Sequence, residues 1–161
     1  MKFFRYSFSL FIFIFIIIVS CSSPDRATET VFDAPALVGQ SPEGAIAVLG
    51  EPDTTYTRTL FGKRFFTQYY NRYGVEVRHL DGRIANIIVN EPYPLKFSPE
   101  TITRFGIDYV EPTEYDSLAM IMWKDIEGFK VINFYLRGVE KPDSVEHSYH
   151  IFFNMDTTSR Q

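Results

Sequence analysis

Residues 73–89 read YGVEVRHLDGRIANIIV, and this stretch decides how the chain is expected to fold. Apolar and polar side chains alternate on both sides of Asp81-Gly82, which is typical of two antiparallel strands joined by a tight turn. A two-residue loop would place Val77 opposite Asn86 and mix polar with apolar side chains. We therefore predict a three-residue loop that starts at Leu80, because its bulged register gives one apolar face. That face consists of Tyr73, Val75, Val77, Ala85, Ile87 and Val89.

Further strands and two helix signals surround this hairpin. Ser41-Pro42-Glu43 is a typical helix start, and Gly50 is suited to end the helix. The same three residue types recur at Ser98, and that stretch ends at Gly106. A tandem duplication and a chance recurrence of a short motif both account for this repeat. Strand patterns follow each copy, at Thr54 to Phe61, Arg64 to Tyr70, Leu118 to Lys124, Phe129 to Arg137 and Val145 to Phe153.

The elements together predict an α+β fold, in which two short helices pack on antiparallel β-meanders. Residues 36–153 are expected to form a single domain with two units, at 36–90 and 93–153. The polar residues 154–161 are expected to form a disordered tail.

The N-terminal segment predicts export. Lys2 and Arg5 precede an apolar run, residues 10–19, that ends just before Cys21, the one cysteine of the chain. This is the pattern of a secretory signal peptide, residues 1–20. A transmembrane anchor is the less favoured alternative, because a spanning helix needs roughly 20 apolar residues. Residues 21–35 are expected to form a flexible tether.

The residues Ile18-Val19-Ser20-Cys21 resemble the lipobox of bacterial lipoproteins. The resemblance implies cleavage before Cys21, lipid on its sulfur and an acylated new N-terminus. Several acyl chains anchor a protein stably, whereas one does not. In Gram-negative lipoproteins a residue other than Asp after the cysteine goes with export to the outer membrane, so with Ser22 the resemblance implies a chain that is lipid-anchored in the cell envelope, at the outer membrane.

Composition and motifs exclude several classes of function. Without Lys2 and Arg5, the 16 basic residues fall to 14 against 20 acidic ones, so nucleic acid is not an expected partner. His147 and His150 would lie on opposite faces of a strand, and we expect no metal site. His79 is expected at the tip of the hairpin, in solvent. No phosphate-binding glycine loop or nucleophile elbow is present, so we predict neither a cofactor nor an enzyme.

An aromatic cluster is the candidate binding site. Adjacent rings on one strand point to both sides, so one ring of each pair leaves the local face and meets the helix, the other unit or a ligand. Packing of these rings under the helix is the alternative that needs no ligand. The cluster consists of Phe65, Phe66, Tyr69, Tyr70 and Tyr73.

A family resemblance rests on element order. A short helix that ends in Leu49-Gly50-Glu51-Pro52, followed by a meander with an Asp81-Gly82 hairpin, is similar to small lipoproteins of the outer-membrane assembly machinery (the SmpA/OmlA type) and to the β-lactamase-inhibitor-like fold. The resemblance implies a binding module. We therefore expect a lipid-anchored, non-catalytic binding or accessory module for a protein partner in the envelope. The alternatives are a small-molecule or peptide-binding, inhibitor-like module and a hydrolase of envelope polymers.

Overall fold

An eight-stranded antiparallel sheet forms the body of the protein in the computed structural model, which describes residues 30–90, 95–117, 119–137 and 148–155. The strand order across the sheet is β1-β2-β3-β4-β8-β7-β6-β5, so two four-stranded meanders meet through their last strands. The strands are β1 (Thr54–Leu60), β2 (Lys63–Tyr70), β3 (Val75–Leu80), β4 (Arg83–Asn90), β5 (Glu114–Asp116), β6 (Met120–Ile126), β7 (Phe129–Arg137) and β8 (Ser148–Met155).

One α-helix, α1 (Pro42–Leu49), precedes β1. The hydroxyl oxygen of Ser41 accepts a hydrogen bond from the Gly44 amide at 3.2 Å, which caps the first turn. Gly50 ends the helix with a φ of 85°, a backbone conformation that favours glycine. The other helical segments described are 3-10 helices, at Pro35–Leu37, Asn71–Tyr73 and Pro99–Phe105.

The predicted α+β fold class is wrong, because the sheet dominates the structure. The first predicted helix is present but only eight residues long, and the second is a 3-10 helix of seven residues. Thr101, Ile102 and Thr103 are β-branched, and such residues lower helix propensity. The start and end signals of both segments were correct. These signals do not determine whether the residues between them form an α-helix or a 3-10 helix. The strands of the two predicted units join into one sheet.

The core lies on one face of the sheet. The segments that cover this face, α1, the 3-10 helices and the chain before them, contribute Phe32, Leu37, Ala45, Leu49, Ile102 and Phe105. The sheet contributes the buried side chains of Tyr70, Val75, Val77, Ile84, Ile87, Val89, Ile121, Trp123, Phe129, Ile132, Phe134, Ile151 and Phe153. Ring pairs such as Phe105 and Phe153, with centroids 5.3 Å apart, link the cover to the sheet.

The β3–β4 hairpin differs from its predicted register. Its loop is the two-residue Asp81-Gly82, with Leu80 paired to Arg83, and the extra residue lies inside β4, at Ala85. This bulge restores the apolar face, so that Val77 pairs with Ile87. The prediction gave the correct face but the wrong partners, because a slip of two residues keeps every side chain on its own side.

The packed region extends beyond the predicted boundaries of the domain. Phe32 and Ala34, which the sequence assigns to the tether, are 6% and 0% exposed. Asn154 and Met155, which the sequence assigns to the tail, pair with Asn86 and Phe129. The predicted signal peptide, the lipid-bearing Cys21 and residues 156–161 lie outside the described residues.

Candidate functional site

The five aromatic residues of the predicted cluster do not share one surface. Tyr70 belongs to the core and is 2% exposed, and strand alternation places Phe66 on the same side of β2. Phe65 and Tyr69 are half-buried on the opposite side. Tyr73 lies in the 3-10 turn after β2 and packs against Phe32, with ring centroids 6.2 Å apart. Tyr70 and Tyr73 thus serve packing, and the other three rings are divided between the two sides of β2.

Tyr70 carries a polar atom into this packing. Its phenolic oxygen is buried and has no hydrogen-bond partner among the residues that the structure describes. Burial disfavours the phenolate and raises the pKa of Tyr70 to about 12, and the negative charge of Glu51 adds to the effect. The ring therefore serves the core, while its hydroxyl contributes nothing to stability there.

An open cleft of about 290 Å³ lies where the β1–β2 and β3–β4 hairpins meet the start of α1. Arg64 and Asp81 bring one charge of each sign to this cleft, and Phe66 brings the aromatic ring. The complete lining is Pro42, Thr57, Arg64, Phe66, His79, Asp81 and Gly82.

His79 lines this cleft but is buried, at 2% exposure, so the expected solvated position is wrong. The two-residue turn and the bulge at Ala85 keep it within β3, paired with Ile84 on the core face. Neither ring nitrogen has a hydrogen-bond partner of good geometry, and both are shielded from solvent. Burial lowers the pKa of His79, against weaker opposing effects of the Phe66 backbone and the Glu43 carboxylate. The imidazole is therefore neutral at neutral pH.

Gln68 is a second buried polar side chain on this side of the sheet. Its amide nitrogen donates to the carbonyl oxygen of Pro42 at 3.2 Å, which ties the first turn of α1 to β2. Its amide oxygen has no partner in the described part of the chain. Unpaired buried polar atoms are rare in folded proteins and often mark functional regions. Because the nitrogens of His79 are shielded, the accessible chemistry of the cleft is that of Arg64, Asp81 and Phe66, which suits a docked side chain.

The opposite face of the sheet carries a polar row across its centre. Arg78 donates to the Glu76 carboxylate at 2.7 Å, and the Asn86 amide donates to Asn154 across the two meanders at 2.8 Å. Rings flank this row on β7 and β8, where Tyr135 and Phe152 are 6.0 Å apart and His150 stacks on Phe152. These contacts satisfy the row within the sheet itself.

The edge of the sheet at β1 is open. Every residue of this seven-residue strand except Leu60 is exposed, and β1 pairs with β2 alone. Within the described ranges, no hydrogen bond reaches its outer side. The other edge, β5, has three residues, two of them acidic.

The β1–β2 hairpin ends at Phe61, which is 102% exposed. Phe61 and Gly62 have φ angles of 51° and 75°, so both lie in the left-handed region. Asn, Asp and Gly are the usual residues there, and an aromatic one is uncommon. The sequence patterns extended β1 to Phe61 and so missed the tip. Pairing the two strands in register would have identified it, because Leu60 and Lys63 flank the turn.

The predictions about a metal site, a membrane span and His147 concern other parts of the chain. No group of three or more His, Cys, Asp or Glu in the described ranges is placed to hold a metal ion. No helix in those ranges has the length and apolar character needed to cross a membrane. His147, which the sequence analysis compared with His150, lies outside the described residues.

Comparison with known proteins does not assign the chain to a family. No protein-family model matches the chain, and no curated protein matches it in sequence. The chain is similar to the crystal structure of an extracellular protein containing an SCP domain from Bacillus anthracis strain Ames, at 12% identity and a TM-score of 0.43. The match covers 85% of this chain and 49% of that one, so this chain spans about half the length of that protein. A likeness this distant carries no argument about fold or function.

Proposed function

We propose that this chain is a lipoprotein of the cell envelope, anchored in the outer membrane by lipid on Cys21, whose folded part is a non-catalytic module that binds a protein partner. The observation that supports the binding role is the open edge strand β1. An extended segment of the partner would pair with β1 and continue the sheet, since main-chain hydrogen bonds give such additions their affinity. The signal sequence and the lipobox support the anchored location.

The two edges of the sheet differ in a way that favours β1. Edges normally avoid pairing by being short, charged, bulged or interrupted by proline. The β5 edge is short and carries Glu114 and Asp116. The β1 edge is seven residues long, lacks proline, pairs with β2 without a bulge and bears a single charge, at Arg58. A long edge without these protections is best explained by a strand that pairs with it.

The cleft supplies specificity next to this edge. Thr57 lies on β1 and lines the cleft together with Phe66. A side chain of the added strand next to Thr57, on the helix side, would therefore reach the cleft and meet Arg64 or Asp81. Sites for independent small ligands usually measure roughly 300–1,000 Å³ and bury most of the ligand. An open cleft of about 290 Å³ fits one side chain of a bound strand better.

Photocrosslinking in cells tests the proposal. A benzoylphenylalanine placed at Thr57 of the full chain is expected to give an adduct with an envelope protein. The matched control is Tyr115, which is 54% exposed on the β5 edge and is expected to give none. Thr55→Lys adds charge to the β1 edge and is expected to lower the adduct at position 57 several-fold.

Three results would overturn the proposal. Equal adducts from positions 57 and 115, or none from either, would remove β1 as the binding edge. An adduct with a second copy of this chain alone would replace the partner by self-association. The anchor has its own measurement, because the intact mass of the purified protein shows whether residues 1–20 are removed and Cys21 carries acyl chains.

A further inference from the structure

The ring of Phe61 has no role in the fold that the structure reveals. It is fully exposed, and a left-handed φ of 51° is unfavourable for a residue with a side chain. Gly62, the next residue of the turn, adopts a left-handed φ of 75° without that strain, because it has no side chain. The position thus neither packs nor eases the turn, and its exposed apolar ring is available to something outside the protein.

Basic residues flank this turn and the neighbouring one. Arg58 precedes the turn, and Lys63 and Arg64 follow it. Arg83 directly follows the β3–β4 turn, which the pairing of β2 with β3 places at the same end of the sheet. None of the four forms an ion pair among the described residues, and Asp81 is the acid on the two turns. The whole chain has a net charge of −4, so this local excess of positive charge opposes the overall balance.

We infer that this hairpin tip is a membrane-contact site, in which Phe61 enters the interface of a bilayer and the surrounding cations bind anionic lipid headgroups. Phe, like Trp and Leu, enters the boundary between headgroups and acyl chains when it faces a bilayer, and Lys and Arg near an anionic surface each raise binding roughly fivefold. A hydrophobic pocket of a protein would accept the ring alone. It would not account for cations on both strands of the hairpin and on the neighbouring turn.

The length of the chain permits this contact, in a step that rests on the proposed lipid at Cys21. Nine residues connect Cys21 to Thr30, and fully extended they span at most about 30 Å. Phe32 packs against Tyr73 at the far end of β2, and this strand of eight residues, about 26 Å long, separates that end from the hairpin tip. An anchored chain therefore has enough length to place the hairpin tip on the membrane that holds the lipid.

Tryptophan fluorescence in nanodiscs tests the inference. The full chain carrying Phe61→Trp is reconstituted into discs of zwitterionic lipid or of lipid with anionic headgroups, each with brominated acyl chains as quencher. Quenching of the new tryptophan is expected in anionic discs. Tyr115→Trp, on the far edge, is the control, and the unsubstituted chain corrects for the buried Trp123. Lys63→Gln with Arg83→Gln is expected to lower the bound-to-free ratio of the tip roughly 25-fold.

The outcomes separate clearly. Quenching at position 61 that does not exceed that at position 115 overturns the inference, as does equal quenching in both kinds of disc. A crosslinker at position 61 that captures a protein in cells, with no quenching in discs, assigns the tip to a protein interface and also overturns it. The mass of the protein reports the lipid, and the adduct at position 57 reports the partner. Failure of the proposed function is therefore distinguishable from failure of the tip to insert.

Discussion

Replacement of His79 by phenylalanine is expected to stabilise the protein and to flatten its response to pH between pH 7.5 and pH 5. The imidazole is 2% exposed and neither nitrogen is paired, so it carries unsatisfied polar atoms. Removing such atoms in favour of an apolar group gains about 1–3 kcal/mol. Phenylalanine is larger, but the adjacent cleft gives the added atoms room, so we expect a net gain of about 1 kcal/mol at pH 7.5.

The sign of the pH effect follows from the lowered pKa of His79. Below its ordinary value of 6.5 the unfolded chain binds a proton that the folded protein does not. The free energy of unfolding therefore decreases as the pH decreases. The loss continues until the folded state also binds the proton. One proton gives at most about 1.36 kcal/mol per pH unit, and therefore at most about 2 kcal/mol between pH 6.5 and pH 5.

Two carboxylates with shifted pKa values act below this interval. The pKa of Glu43 is lowered by its hydrogen bond from Ser41, and the pKa of Glu100 by its hydrogen bond from Ser98. Groups of this kind give stability that is lost only as the pH falls below their ordinary value of 4.5. The loss of stability that Glu43 and Glu100 cause therefore lies below the interval in which His79 acts.

Urea unfolding, followed by the fluorescence of the buried Trp123, measures the effect. The advantage of His79→Phe over the natural chain is expected to grow as the pH falls from 7.5 to 5. His150→Gln is the comparison, because it removes an imidazole from a half-buried position of β8 and leaves His79 in place. Parallel profiles for the natural chain and His79→Phe would refute the reasoning, since they would mean that His79 takes up its proton equally in both states.

Two further pairs of substitutions test the packing. Tyr70→Phe removes a buried, unpaired hydroxyl and is expected to raise the free energy of unfolding by about 1 kcal/mol. Tyr69→Phe is the control and is expected to leave that free energy unchanged. Thermal melting compares the two variants, and a loss of stability at position 70 would mean that its hydroxyl is hydrogen-bonded. Gly62→Ala and Gly128→Ala both place a side chain at positive φ, which costs about 1 kcal/mol, but a Cβ at 128 would lie 2.7 Å from Val38 Cγ1. Urea midpoints are expected to show about 1–3 kcal/mol more loss at 128, and equal losses would contradict the contact.

The sequence predicted local elements well because their signals are local. Alternation located β2 and β7 closely, and the Ser41 cap located the start of α1. The candidate site was harder to predict from the sequence. The position of the bulge at Ala85 is invisible to alternation, since shifts of two residues preserve the faces, and the burial of His79 depends on that bulge. The order in which the two meanders join depends on contacts between β4 and β8, far apart in the chain.

The β1–β2 hairpin unites the proposed edge, the cleft and the membrane-contact tip, and the energetics of folding explain little of the sequence of β1 and the tip. β1 has no buried side chain, so it supplies little of the apolar burial that stabilises the fold at about 25 cal/mol per Å². Substitutions at Thr57 and Phe61 should therefore change binding while leaving stability nearly unchanged. Tyr70, at the other end of β2, offers no such separation, because replacing its ring by alanine would open the core. A fall in stability of more than about 1 kcal/mol for Phe61→Ser would show that the hairpin tip serves the fold after all, and the case for an outward role would then fail.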